Sequence, residues 1–181
     1  RSAASLMFQT FGPDVVQNGV IRRMLERGVN APLTTSVGRL FDAVASMAGV
    51  AQESRFEGQA AMLLERAIGS RVTEDCYPLS EGDWAPLIEA VWEDVRKGAA
   101  PDLIAARFHN ALAGWMLNVA RGIGVRQVVL SGGVFQNSYL VERSAVLLES
   151  EGFRVATHQR VPPNDGGIAL GQAVLAGLLS R

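Results

Sequence analysis

Gln127-Val128-Val129-Leu130-Ser131-Gly132-Gly133 sets the topology of the chain. Its first four residues form a short apolar, β-branched run, and Ser-Gly-Gly breaks that run at once, so it reads as a buried strand entering a tight turn. After the turn, a helical pattern from Ser138 to Glu151 stops at Gly152, and Phe153 to Thr157 reads as a second strand. Strand, helix and strand joined by short links make a βαβ unit, which demands parallel pairing and a right-handed crossover. Beyond it, Pro162-Pro163-Asn164-Asp165-Gly166-Gly167 leads into a last apolar helix, Ile168 to Leu179.

Upstream of the unit the period changes to that of helices. Val15 to Arg27 carries apolar residues near every third or fourth position and stops at Gly28. Thr34, Thr35 or Ser36 can cap a second helix, whose Val37, Leu40, Phe41, Val44, Met47 and Ala48 make one apolar stripe ending at Gly49. Ser54 and Glu57 have capping-box spacing at the head of a third helix, Phe56 to Ile68. Residues 70 to 85, with Cys76, Pro78 and Gly82, read as loop or short strand. Helices resume from Pro86 to Arg96 and from Pro101 to Gly122, with proline well placed in each first turn. The fold class expected is α/β: a helix-rich lobe with a small parallel sheet, the whole of residues 1 to 181 forming a single lobe.

Composition narrows the function classes. The 181 residues are 48% hydrophobic and 19% charged, which is globular composition at the size of one domain or one lobe. Seventeen basic residues against 18 acidic ones leave a net charge of −1, so no basic excess exists to displace counterions from a nucleic-acid backbone. Cys76 is the single cysteine and cannot form an internal disulfide, in keeping with a reducing, cytoplasmic compartment. No apolar stretch reaches the ~20 residues of a membrane span, and a soluble protein is expected. Arg1 to Leu6 lacks the build of a signal peptide, and the chain reads as a piece of something longer.

Several groups could carry chemistry. In Ser131-Gly132-Gly133-Val134-Phe135-Gln136-Asn137, two glycines at a strand-to-helix turn let a phosphate or ribose approach the backbone; alternatively this is a plain glycine turn with Asn137 or Ser138 as helix cap. Asp165 poses a similar choice between capping the last helix, which residue chemistry alone favours, and binding a metal or ligand at the mouth of the parallel strands. Gly38 and Asp42 share a helix face away from the apolar stripe, where Asp42 could accept hydrogen bonds from a ribose or stand as a solvated carboxylate. Glu57 reads as the partner of Ser54. His109 reads as a packed, hydrogen-bonded imidazole, and His109 and His158 fit no metal-ligand spacing. Cys76 has no basic neighbour to activate it. No Ser/His/Asp arrangement or Walker loop can be assembled from the sequence.

Taken together, Ser36-Val37-Gly38-Arg39-Leu40-Phe41-Asp42-Ala43-Val44-Ala45, Phe56-Glu57-Gly58-Gln59-Ala60-Ala61, Phe108-His109-Asn110, Leu130-Ser131-Gly132-Gly133-Val134-Phe135-Gln136-Asn137 and Pro162-Pro163-Asn164-Asp165-Gly166-Gly167-Ile168-Ala169-Leu170-Gly171-Gln172 resemble, in content and order, the HypF carbamoyltransferases that mature [NiFe] hydrogenases. The resemblance runs from about Ala31 to the C-terminus and is weakest over residues 70 to 100. It implies the second half of an actin-like ATPase (ASKHA) fold, shared with tRNA threonylcarbamoyltransferases and antibiotic O-carbamoyltransferases. It also implies an activity: carbamoyl phosphate and ATP give a carbamoyl-adenylate, whose carbamoyl group passes to the C-terminal cysteine thiol of a partner, HypE. By motif match Gly38, Asp42 and Asn137 would hold the nucleotide, Gly132 and Gly133 would shape its floor, and Asp165 would ligate a divalent zinc or iron. These nucleotide residues are then expected to converge on one open surface. The histidine-rich metal motif and the other domains of the family are missing from this stretch, so the piece alone is expected to be inactive. Competing classes are an antibiotic O-carbamoyltransferase, a phosphotransferase of the same broad fold, and a binding lobe without chemistry.

Overall fold

The parallel pairing expected of the two short apolar runs is realised. In the computed structural model, which describes residues 1–80 and 82–180, β1 (Gln127–Leu130) pairs in parallel with β2 (Arg154–Thr157) in the register Gln127 to Arg154 through Leu130 to Thr157. The intervening helix, here α7, spans Ser138–Ser150. The other helices are α1 (Ser2–Phe11), α2 (Gly19–Glu26), α3 (Val37–Met47), α4 (Gln59–Ile68), α5 (Ala85–Arg96), α6 (Pro101–Ile123) and α8 (Ile168–Leu179). The chain divides within α6 into two units, Arg1–Trp115 and Met116 onward.

In the first unit, the apolar stripe of α3 buries Leu40, Phe41, Val44 and Met47, as its spacing requires. Leu64 and Ile68 of α4, Leu87, Ile88 and Val91 of α5, and Ile104, Phe108 and Leu112 of α6 are buried too. Phe41 and Phe108 meet edge to face, ring centroids 4.9 Å apart, a geometry set by the aromatic quadrupoles. Gly49 follows α3 at φ 74°, a left-handed conformation that suits glycine.

Three local expectations are corrected here. The helix expected from Val15 begins at Gly19, because Pro13–Val15 form a 3-10 turn and the Asn18 side chain accepts hydrogen bonds from the Val20 and Ile21 amides, both at 3.1 Å. The capping box of Ser54 and Glu57 does not form: α4 starts three residues later than expected, behind Gly58 at φ 80°, and Gln59 Oε1 reaches back to the Arg55 amide at 2.6 Å. Ser36 holds the cap position of α3, yet its hydroxyl makes no capping bond, and Thr34 Oγ1 accepts from the Ser36 amide instead. Helix α1 lies before the first segment that the apolar pattern marks as helical.

The stretch from 70 to 80 is irregular, as read, and is tied down by side chains. Asn110 Nδ2 on α6 donates to the carbonyls of Thr73 and Asp75 at 2.8 and 2.9 Å. Tyr77 Oη donates to Asp94 Oδ2 at 2.7 Å, and Arg107 donates to both Asp94 and Asp75. Backbone carbonyls that a strand would have paired are thus satisfied from α6.

In the second unit, Leu117 and Ala120 of α6, Leu130 of β1 and Leu148 of α7 form the buried centre, with Val128, Phe135, Leu147, Phe153 and Val155 packed against it. The strand β1 was expected to be buried, and it is not: Gln127 is exposed, Val129 is 62% exposed, and only Leu130 is fully covered. Alternation turns Val128 and Leu130 to the core and Val129 away from it, and the described residues of this two-stranded sheet cover one face. Helix α8 carries a single polar side chain, Gln172, and every one of its residues is exposed. Among the described residues, no helix is long and apolar enough to cross a membrane.

Candidate functional site

The carboxyl ends of β1 and β2 place two glycine turns side by side. The Gly132 amide donates to the Pro163 carbonyl at 2.8 Å, which ties Ser131-Gly132-Gly133 to Pro163-Asn164-Asp165. Gly132 sits at φ 107°, and a Cβ built there would point into open space, so glycine is demanded by the backbone and leaves one side of the turn uncovered. Gly133 lies against Asn164, whose Cβ would be 4.0 Å from a Cβ built on the glycine. Open α/β sheets take their ligands at this end of the strands.

Asn137 takes the capping role that residue chemistry offers it, and Asp165 does not. Asn137 is the N-cap of α7: its carboxamide oxygen accepts from the Leu140 amide at 2.8 Å, and it is almost completely buried. A 3-10 turn that begins at the second glycine, Gly133–Gln136, leads to that helix start. Asp165, by contrast, does not cap the last helix. Asn164 makes the local turn, accepting from the Gly166 amide at 3.1 Å, while α8 begins at Ile168 without a side-chain cap. The Asp165 carboxylate is exposed and takes no part in holding the turn. Among the described residues, no group of three or more His, Cys, Asp or Glu could hold a metal ion.

The first unit holds Gly38 and Asp42. Asp42 is not a fully solvated carboxylate: its side chain is 19% exposed and pairs with Arg39 Nη1 at 2.9 Å, one turn away on α3. Burial pushes its pKa up, while Arg39 pulls it back. Beside this end of α3 opens a cavity of about 600 Å³, lined among others by Leu25, Thr34, Thr35, Ser36, Arg39, Glu57 and Trp84. Its volume is in the range of small-molecule sites, and its wall mixes hydroxyls, a guanidinium and a carboxylate with apolar surface. Glu57, freed from the capping box, lines it.

A model of the "Carbamoyltransferase, Kae1-like Domain, second subdomain" family matches residues 3–172. The chain belongs to the HypF carbamoyltransferase family. It is 40% identical over 174 residues to the carbamoyltransferase HypF of Synechocystis sp., covering 92% of this chain and 22% of that protein. HypF of Rhodobacter capsulatus is 38% identical over 162 residues, with 86% of this chain and 21% of the relative covered. Among solved structures, full-length HypF in its phosphate- and nucleotide-bound form superposes with a TM-score of 0.84 at 36% identity, over 98% of this chain and 26% of that one. HypF from T. kodakarensis gives 0.74 at 28% identity, over 98% and 24%. The chain therefore spans about a quarter of the length of these HypF proteins, and its helix-rich fold with a two-stranded parallel sheet is that of a Kae1-like second subdomain.

Of the residues that the HypF motifs single out, Gly132, Gly133, Asn137 and Asp165 share the second unit, and Gly38 and Asp42 share the first. One pair escaped the sequence reading. His158 Nε2 lies 2.8 Å from Ser131 Oγ, joining the residue after β2 to the residue after β1. The signal was present: parallel strands ending together set their next residues side by side.

Proposed function

We propose that this chain is one lobe of a cytoplasmic carbamoyltransferase that transfers a carbamoyl group from carbamoyl-adenylate to the C-terminal cysteine thiol of HypE. The observation that carries the reading is the joined pair of glycine turns at the carboxyl ends of β1 and β2, in a chain of the HypF family. In the reaction the thiol sulfur attacks the carbamoyl carbon. A carbon–sulfur bond forms, the bond from that carbon to the phosphate oxygen breaks with its electron pair leaving on AMP, and the thiol proton is released. ATP and carbamoyl phosphate supply the adenylate. The lobe alone lacks most of the length of its relatives and is inactive by itself.

In this reading Gly132 and Gly133 leave room for the nucleotide against the turn that Asn137 follows, and Gly38 and Asp42 are the nucleotide-binding candidates of the first unit. A solved full-length HypF, in a phosphate- and nucleotide-bound form, supports a nucleotide reading for a chain of this family. Asp165 contributes one ligand to a zinc or iron ion whose remaining ligands come from other parts of the polypeptide. Two variants of the full-length protein test the reading. Asp42→Ala is expected to weaken ATP binding about tenfold, the size of one lost charge-assisted hydrogen bond, and to slow carbamoyl transfer in step. Unchanged affinity removes Asp42 from the site. Asp165→Asn is expected to abolish metal retention and transfer while the melting temperature stays put, because Asn164 makes the turn. Full metal content and activity in that variant would overturn the assignment.

A further inference from the structure

Register places Ser131 and His158 opposite one another. Leu130 pairs with Thr157 in parallel, so the next residue on each strand stands just past the last rung of the sheet, at its ligand-binding end. Their side chains meet at 2.8 Å, and both residues are exposed. Two solvated groups gain little stability by bonding each other in place of water, since ordering both side chains offsets much of the bond. What the contact does accomplish is to stop a rotor. A serine hydroxyl has one proton and two lone pairs, and its proton otherwise turns to suit any neighbour.

The surroundings give that fixed hydroxyl an outlook. Gly132, the next residue, is anchored through its amide to Pro163 and has open space where a side chain would stand. Ser131 therefore borders the uncovered side of the turn, where the proposed nucleotide lies. We propose that His158 is a positioning residue of the nucleotide site: its Nε2–H donates to Ser131 Oγ, and the Ser131 O–H is thereby directed outward to donate to a nucleotide oxygen. The inference rests on the nucleotide reading of this turn. It adds a pair that acts as one unit.

The experiment uses the full-length protein, with ATP as the probe in calorimetry and carbamoyl transfer followed in parallel. Ser131→Ala and His158→Ala are each expected to weaken ATP binding about five- to tenfold, the size of one hydrogen bond, and to raise KM more than they lower kcat. The double variant is expected to be no weaker than either single one, as coupled partners require. His158→Gln, whose carboxamide nitrogen can donate from a similar reach, is expected to recover affinity to within about twofold. No variant should shift the melting temperature appreciably. If Ser131→Ala loses affinity while His158→Ala does not, or if the two losses multiply in the double variant, the positioning role is overturned and the nucleotide reading stands. If Ser131→Ala and Gly132→Val both bind ATP like the parent, the turn carries no nucleotide, and the reading falls together with the pair. Failure of His158→Gln to recover affinity also counts against the pair.

Discussion

His109 has no exposed surface; its Nδ1 donates to the Ala105 carbonyl at 2.7 Å, and its ring stands edge-on to Phe41 and Phe108. Burial disfavours the charged ring and lowers its pKa from 6.5 to about 4, against the smaller raising effect of the Ala105 bond. The folded pKa lies below the unfolded one, so the unfolded chain takes up the proton first as pH falls. Stability is then fully present above about pH 6.5, declines toward pH 4, and gains no further slope below it, a loss of at most ~3 kcal/mol. Urea titrations at pH 6.5 and pH 5 should show that decline, and His109→Gln should flatten it. An equal slope in that variant would mean that the imidazole does not control it. The packed imidazole was legible from its place on an amphipathic helix, whereas the choice between Asn164 and Asp165 as the turn residue was not. Both have the short polar side chain a turn needs, and only backbone angles beyond Pro163 select one.

At the scale of elements, α7 shows what holds the candidate site in place. Asn137 caps its start, Leu140 and Leu148 are buried along one face, and Ser144 Oγ donates to the Leu140 carbonyl at 2.6 Å. Leu148 touches the same buried centre as Leu130, at the end of β1, so packing on the helix supports the strand that carries the glycine turn. Leu148→Ala should cost about 2–5 kcal/mol, from lost transfer free energy and the cavity left behind. The measurement is a denaturant midpoint for the full-length protein, and a loss under ~1 kcal/mol would show that the neighbours collapse into the space. The bounds of α7 follow its apolar period and glycine stop closely, and those of α8 match its apolar run. Those of α2 and α4 do not, because an Asx cap or a left-handed glycine placed ahead of the apolar run decides where helical hydrogen bonding begins.

Over the whole molecule, α8 is the element that its own chain leaves unfinished. A helix apolar on every side belongs in an interior, yet Leu170, Val174, Leu175 and Leu178 are each more than half exposed. The relatives it matches carry further polypeptide, being about four times as long. In the full-length protein, Leu175→Asp should lower stability by ~3 kcal/mol or more, as an unpaired buried charge does, and a melting temperature within a degree of the parent would show that this face stays in water. The amino-acid sequence by itself determined the helix periods, the βαβ unit with its parallel sense, and the family, because periodicity, strand-breaking glycines and handed crossovers are local or topological properties. Tertiary structure alone decided that β1 is covered on one face, that Asp42 is half-buried against Arg39, that Asn164 rather than Asp165 makes the last turn, and that His158 meets Ser131. Each of these depends on what lies across space from a residue, and burial, pairing and hydrogen-bond partners between distant positions are set only when the chain has packed.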